Sequence, residues 1–580
     1  MDIPFHALEH GGPFQRDAVP LPISFGRVLD HRVSKSVSAL FKVPVEILGL
    51  ILGFVDSSSL AALALVNSDC LQLSRSRQFA DVRLDYSESS EALVRQLVSQ
   101  SSEKWIIKGS TSLPSLGTYI RRLTVSIDIN NVRERFGIQK ATSSENGITL
   151  REAVQPQWED IFASIAETYL YPVQAMICST NTLPNLNTLD WEEQYDLSQN
   201  FYNAIARSSV RHLKLNYSIT QVFEISLPQS RVWPLRNLHL ELACDISQKD
   251  MTSTLCASIL RRCASSLETL VWIQRRHRDH LTFGKGPIPK FPCLCNLHLQ
   301  LIEEADASLI DAFFPSKLVN LRMIGGTSLL DKAISSCGQI PSLEALSIRH
   351  HTPSFLQANP QLLKVDFDRA ELSPISLETQ ILPSLSNLSN LTSLRISWPI
   401  LCSQLPEKGL QLIGSLRNLT QLCISCGRVD GWRRNWEVDH LAIRQNLSPL
   451  RVLQRLALCG DTYSPGSRPT DLSRYYVDTF AVVEDLGYPP GMPLGNVPLS
   501  VRTLMLDYKI GKPYWEKAHR KKMISEGRAY IDVFPRLEWM YLGERAMCIE
   551  EVDGQIKSRC IVSIDEMEDS GSYLSCMFEI

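Results

Sequence analysis

The feature that most constrains this chain is a six-residue pattern, Leu-x-x-Leu-x-Leu with other apolar residues substituting, that recurs fourteen times. Copies begin at Ile120, Leu186, Val210, Leu235, Leu267, Leu294, Leu318, Leu343, Leu362, Leu391, Leu419, Leu453, Val501 and Leu537. Start-to-start spacings cluster at 24 to 32 residues, apart from a long first gap and late insertions. The last apolar residues of each hexamer alternate, which suits a strand with one face in a core and the intervening residue on the other face. One copy could be any core strand or helix face. Fourteen at a near-constant step imply one strand per structural unit, joined by outer connections. Met251 to Cys263, Ala305 to Phe314, Leu329 to Ser336, Gly409 to Leu416 and Val438 to Gln445 read as the outer helices.

Leucine-rich repeats have this period. The expected fold class is therefore α/β, with an irregular solenoid of parallel strands and outer helices over 80–547. It is irregular because the asparagine that regular repeats place after the strand is mostly missing. FADVRLDYS from Phe79 gives an alternating strand, and Ser87 to Gln100 a capped amphipathic helix with Leu93, Leu97 and Val98 on one side. Two inserts, near 126–182 and 459–499, break the rhythm. The first carries an amphipathic helix, Glu152 to Tyr171, through Trp158, Ile161, Phe162, Ile165 and Tyr169; the second is rich in Pro, Gly and Tyr. Residues 548–580 form a C-terminal cap or tail. On the concave face, the intervening hexamer positions supply candidate target-binding residues: Lys214, His298, Arg322, Arg349 and Arg395, with His239 beside them and Asp366 interrupting.

Ahead of the repeats, Leu40 to Phe79 reads as three short helices. Pro44 suits a first helical position. From Val45 to Val55 only Glu46, Gly49 and Gly53 interrupt the apolar residues, which spread over more than half the helix circumference. A surface helix carries a stripe somewhat over a third of its circumference, so this one needs covering on two sides. Asp56 and Ser57 to Ser59 offer N-caps for a helix from Leu60 to Val66, and Asn67 and Ser68 cap a third. Residues 1–38 lack periodicity and read as a mobile tail, in which the spacing of His6 and His10 is a chance match to a metal pair.

These forty residues resemble the F-box, which opens Pro-x-Glu-Ile/Leu, passes an Asp-rich break and ends in a Leu-rich stretch closing on Val-Asn/Cys. Pro44, Glu46, Ile47, Leu48, Ile51, Leu52, Val55, Leu60, Leu63, Leu65 and Val66 occupy the matching positions. Many F-boxes carry a Trp just beyond; here the nearest counterpart is Cys70, and the wording LALVNSDCLQLSRSRQFADVRLDYS looks like a fungal subfamily. The resemblance implies a substrate-recognition subunit of a Skp/cullin/F-box ubiquitin ligase. Residues 39–79 would be the F-box, with Pro44, Val45, Ile47, Leu48, Ile51, Leu52, Val55, Leu60, Leu63 and Val66 meeting a Skp-family adaptor and, through it, cullin. The array would hold an unknown protein target, with docking expected to differ from other F-boxes at Cys70. The alternative is a repeat scaffold without a ubiquitin role, its helical segment an N-terminal cap.

Other readings find less support. A chain of 580 residues, 44% hydrophobic, can bury large cores. Its net charge of −3 implies no global attraction to nucleic acid or membrane. Met1 to Arg32 lacks a secretory pattern, so a cytoplasmic or nuclear protein is implied, with no membrane and no nucleic acid among its partners. Fifteen cysteines show no framework, and the CxxC at Cys423 and Cys426 and the CxC at Cys293 and Cys295 have no second pair, so no metal is expected. Asn216, Asn387, Asn390, Asn418 and Asn446 start glycosylation-like triplets that read as unmodified loops. No phosphate-cradling loop, His-Glu-x-x-His or Gly-x-Ser-x-Gly is present, so neither catalytic residues nor cofactors are expected. Basic clusters at Arg275 to Arg278, Arg433–Arg434 and Lys517 to Lys522 read as solvated faces, able in principle to take an acidic segment.

Overall fold

The structure is a computed structural model. It describes residues 39–103, 115–126, 128, 131–132, 164–179, 181–193, 197–219, 232–244, 249–274, 283, 287–300, 308–313, 317–324, 337–348, 353–367, 377–397, 405–425, 429–430, 433–434, 436–459, 461–462, 523–542, 545–551 and 559–563. It is an α/β protein whose strands are mostly parallel. The described residues fall into two compact units, those within Asp17–Leu318 and those within Val319–Ile580.

In the first unit seven strands lie side by side in chain order: β1 (Asp81–Leu84), β2 (Arg122–Ser126), β3 (Thr188–Glu192), β4 (His212–Ile219), β5 (Asn237–Cys244), β6 (Thr269–Gln274) and β7 (Asn296–Gln300). All six pairings are parallel. The hexamer sets the register. Leu123, Leu189, Leu213, Leu238, Leu270 and Leu297 stand opposite one another in a row, and Val125, Trp191, Leu215, Leu240, Trp272 and Leu299 form the next inward row. Both rows are buried. The carbonyl just ahead of each strand accepts two N–H groups from the next repeat: Arg121 O takes Asn187 N at 2.8 Å and Thr188 N at 2.9 Å, and Arg236 O takes Glu268 N at 2.8 Å and Thr269 N at 2.9 Å. This repeated bond locks successive units at one offset, so a one-residue slip would carry every Leu to the wrong face.

The second unit continues the rule through β8 (Asn320–Ile324), β9 (Ala345–Ile348), β10 (Lys364–Phe367), β11 (Ser393–Ser397) and β12 (Gln421–Ser425). After three two-residue strands, β13 (Val429–Asp430), β14 (Arg433–Arg434) and β15 (Trp436–Glu437), come β16 (Arg455–Cys459), β17 (Asp461–Thr462) and β18 (Trp539–Leu542). β16 joins β12 and β18 joins β16, both parallel. Leu321, Leu346, Val365, Leu394, Leu422, Leu456 and Met540 form the buried row. β19 (Arg545–Glu551) and β20 (Arg559–Ser563) then close this side antiparallel. The expected boundary at residue 548 falls inside β19, and the terminal hairpin starts at Arg545.

Thirteen of the fourteen hexamers thus supply a strand with all three apolar positions buried, and the one at Val501 lies outside the described residues. Of the outer helices, Lys249–Cys263, Ser308–Phe313, Glu407–Gly414 and His440–Leu447 match the expectation to within a few residues, and Leu329 to Ser336 lies outside the described residues. From the first insert, residues 164–178 are helical and bury Ile165, Tyr169, Val173 and Met176. The N-terminal tail and most of the second insert lie outside the described residues.

The three expected N-terminal helices are α1 (Val45–Gly53), α2 (Ser57–Ala64) and α3 (Ser68–Gln78). α1 stops two residues short of Val55, and α2 starts and ends earlier than the apolar run suggested because its cap is Asp56. The Asp56 carboxylate accepts from Ser58 Oγ at 2.5 Å and from Ser59 N and Ser59 Oγ at 2.9 Å. These bonds, the Ser58 hydroxyl first, hold its pKa well below the usual carboxylate range. Asn67 Oδ1 accepts from Asp69 N at 3.0 Å and Cys70 N at 2.8 Å, which fixes the start of α3. α4 (Glu88–Glu103) follows β1. Its inward face centres on Val94 and Leu97, with Leu93 and Val98 half-buried at the margin.

Candidate protein-docking surfaces

α1 has two apolar faces with opposite fates. Leu48 and Leu52, one turn apart, are each 3% exposed, and Leu52, Leu60 and Leu73 form a small core completed by Leu40, Phe41, Val55 and Leu63. On the opposite side Ile47, Leu50, Ile51 and Phe54 follow the i, i+3, i+4, i+7 spacing of one helical face and are exposed, Phe54 to 92%. Leu65, 89% exposed, and Val66 extend the open apolar residues past the end of α2. Burying such a side chain stabilises a complex by about 1.5–3 kcal/mol, so the six offer on the order of 10 kcal/mol before association costs.

The structure therefore divides the ten residues expected to meet an adaptor. Pro44, Ile47, Ile51 and Val66 are exposed; Leu48, Leu52 and Leu60 are core; Val55 and Leu63 are half-buried against that core; the side chain of Val45 lies outside the described residues. Family-pattern matching missed Leu50 and Phe54, and it did not place Leu65 among the contacts, because a consensus records which positions are apolar and not which side they take. The helical period sets Ile47, Leu50, Ile51 and Phe54 on one side and Leu48 and Leu52 on another, but does not say which side the fold covers. Cys70 is also buried, its thiol pushed up by burial, so it presents no surface at which docking could differ.

The second candidate surface is the sheet face opposite the core. Lys214 stands opposite Asp190 on β3 and His239 on β5, and its Nζ lies 2.6 Å from Glu192 Oε1. Burial holds Asp190 above the usual carboxylate range, with the Lys214 ammonium pulling the other way. His239 Nε2 lies 3.5 Å from Glu241 Oε2, and burial pushes the His239 pKa down. His298 faces Val271 and is buried. In the other unit Arg322 stands opposite Ser347, whose Oγ donates to Asp366 Oδ2 at 3.1 Å, and Asp366 stands opposite Arg395. Arg349 lies outside the described residues. The expected basic positions do occupy the face opposite the core, but acids are interleaved with them, and His298 has little surface to offer.

Inside the first unit, β1, α4, the 164–178 helix and β3 converge on a buried polar group. Tyr86, whose φ of 69° is the left-handed region rarely adopted by a bulky residue, stacks on Tyr169 with ring centroids 4.5 Å apart. Tyr169 Oη donates to Ser90 Oγ at 2.9 Å. Glu193, just past β3, is 2% exposed, and burial pushes its carboxyl up to about 8. Burial likewise pushes Tyr169 up to about 12.

Among the described residues no group of three His, Cys, Asp or Glu side chains could hold a metal ion, and no helix is long and apolar enough to cross a membrane. No family model matches this chain, and no curated protein matches it.

Proposed function

We propose that this chain is a non-catalytic substrate-recognition subunit of a Skp/cullin/F-box type ubiquitin ligase. The outer face of α1 and the end of α2 dock on a Skp-family adaptor, and the repeat sheet holds a protein target. One observation carries the reading: a three-helix segment with its own core leaves Ile47, Leu50, Ile51, Phe54, Leu65 and Val66 open on the far side. Apolar side chains grouped in this way on an otherwise ordinary surface mark a protein contact. Proximity supplied by the assembly, with no covalent step on this chain, would then bring target and ubiquitin-carrying subunits together.

The rival reading, a repeat scaffold with the helices as its cap, also uses the inner face of α1 but has no use for the outer one. Co-expression of the full chain with a Skp-family adaptor separates the two. Wild-type protein should capture the adaptor, and Leu50→Ala with Phe54→Ala should lose that capture while unfolding at an unchanged temperature. Capture that survives this double change in a folded protein would refute the docking assignment.

A further inference from the structure

Of the nine cysteines whose side-chain burial is described, Cys293 alone is exposed, and Cys295, two residues on, is half-buried beside it. Between them Leu294 opens the sixth hexamer and is fully buried. Cys293 stands in the turn that leads toward β7, and Cys295 in the short link just before Asn296, the first residue of that strand. Two bonds hold the backbone here: Cys295 N donates to Glu268 O at 2.8 Å, and Leu294 N to Phe291 O at 3.3 Å, the latter closing a turn. Cys295 Sγ leans back to within 3.3 Å of Cys293 O, so its sulfur already lies against the preceding cysteine. Cys293 Sγ points to Ser265 O at 3.4 Å, a weak S–H···O contact on an exposed side chain that a χ1 rotation would release.

We propose that Cys293 and Cys295 are an oxidisable dithiol that closes to an intrachain disulfide when a peroxide reaches Cys293. Two residues span at most about 7.2 Å between Cα atoms, close to the upper end of the range of about 4.4–6.8 Å that disulfides use, so closure asks for only a small backbone adjustment. The Cys293 thiolate attacks one peroxide oxygen, the O–O bond breaks, and a sulfenic acid forms while the other oxygen leaves as water after taking a proton. The Cys295 sulfur then attacks the Cys293 sulfur, the S–S bond forms, and the sulfenic oxygen departs as a second water. Two thiols lose two hydrogens and the peroxide becomes two waters. The neighbouring competitor does not interfere: Cys263 is fully buried, with its thiol pushed up to about 12 by that burial.

The test treats the full chain with limiting hydrogen peroxide, blocks remaining thiols with N-ethylmaleimide, and maps peptides by mass spectrometry with and without dithiothreitol. The peptide carrying Cys293 to Cys295 should lose two hydrogens, resist blocking and regain both reactive thiols on reduction. In Cys295→Ser, Cys293 should instead advance to sulfinic and sulfonic products that dithiothreitol does not reverse. The proposal is overturned if both thiols of the wild type stay open to N-ethylmaleimide. Over-oxidation or intermolecular pairing of Cys293 in the wild type as readily as in the variant overturns it equally. Should Cys295→Ser unfold, the wild-type product alone decides.

Discussion

The hexamers and the N-terminal helices draw on the same apolar residues, yet they spend them in opposite ways. Every apolar hexamer position described is buried, whereas the 47–66 segment keeps six large apolar side chains open to solvent. The difference is architectural. A strand whose alternate residues face one way can satisfy all its apolar groups against the outer elements of its own unit. Among the described residues, a nine-residue helix that is apolar on both sides is covered by α2, α3 and the preceding turn, and they reach one side. An exposed apolar side chain next to a core that is already complete is surplus to folding, which directs attention to a second molecule.

The sharpest way to break this contrast is to treat a hexamer residue as dispensable. Leu238→Ala removes a fully buried side chain from the middle of a row of leucines, and the cavity should destabilise the 17–318 unit by about 2–5 kcal/mol. Because there are two units, the transition to follow in denaturant is the one belonging to that unit, by hydrogen exchange of its strands. Loss within about 0.5 kcal/mol would mean that the rows do not hold the repeats together. Gly117→Ala tests the same packing through the backbone, since a Cβ there would collide with the Thr182 carbonyl, which belongs to no flexible side chain.

Next in size is the Glu193 carboxyl, whose effect depends on pH. Its folded-state pKa of about 8 lies above the unfolded value, so the native state keeps a proton that the unfolded chain releases. Stability from this group is complete below about pH 4.5, falls as pH rises, and levels off above about pH 8. The total swing is on the order of a few kcal/mol. Glu193→Gln should therefore raise the unfolding temperature of the 17–318 unit more at pH 8 than at pH 5. Equal shifts at both values would show that the carboxyl is solvated in the folded protein.

Capping gives a smaller step. Asn67→Ala deprives two N–H groups of their acceptor and should cost about 1 kcal/mol, read as earlier hydrogen exchange in α3. The cap is also a case where local sequence was sufficient. Asn67 before Ser68 and Asp69 declares its role from composition alone, and the hexamers declare theirs because thirteen independent strands repeat one register. What could not be read was the allotment of α1's residues between two apolar sides, since Leu48 and Leu50 are chemically identical and differ only in which side meets α2 and α3. The pairing of Lys214 with Glu192 was equally hidden. Residues 22 apart in sequence become neighbours through strand register, so the apparent basic stripe acquired its acids from an adjacent repeat.

The smallest expected effect on stability carries the most weight for function. Phe54→Ala changes a side chain that is 92% exposed and should move the unfolding transition by no more than about 0.5 kcal/mol, unlike Leu52→Ala in the adjacent core. Combined with Leu50→Ala it should nevertheless abolish capture of a Skp-family adaptor, because an exposed aromatic anchor and its helical neighbour concentrate binding energy. If Leu52→Ala weakens capture in proportion to lost fold stability while Leu50→Ala with Phe54→Ala weakens it at constant stability, the two sides of α1 have separate tasks. If both act only through stability, the outer side is decoration and the chain is a scaffold, which would also remove the reason for comparing the helices with the hexamers.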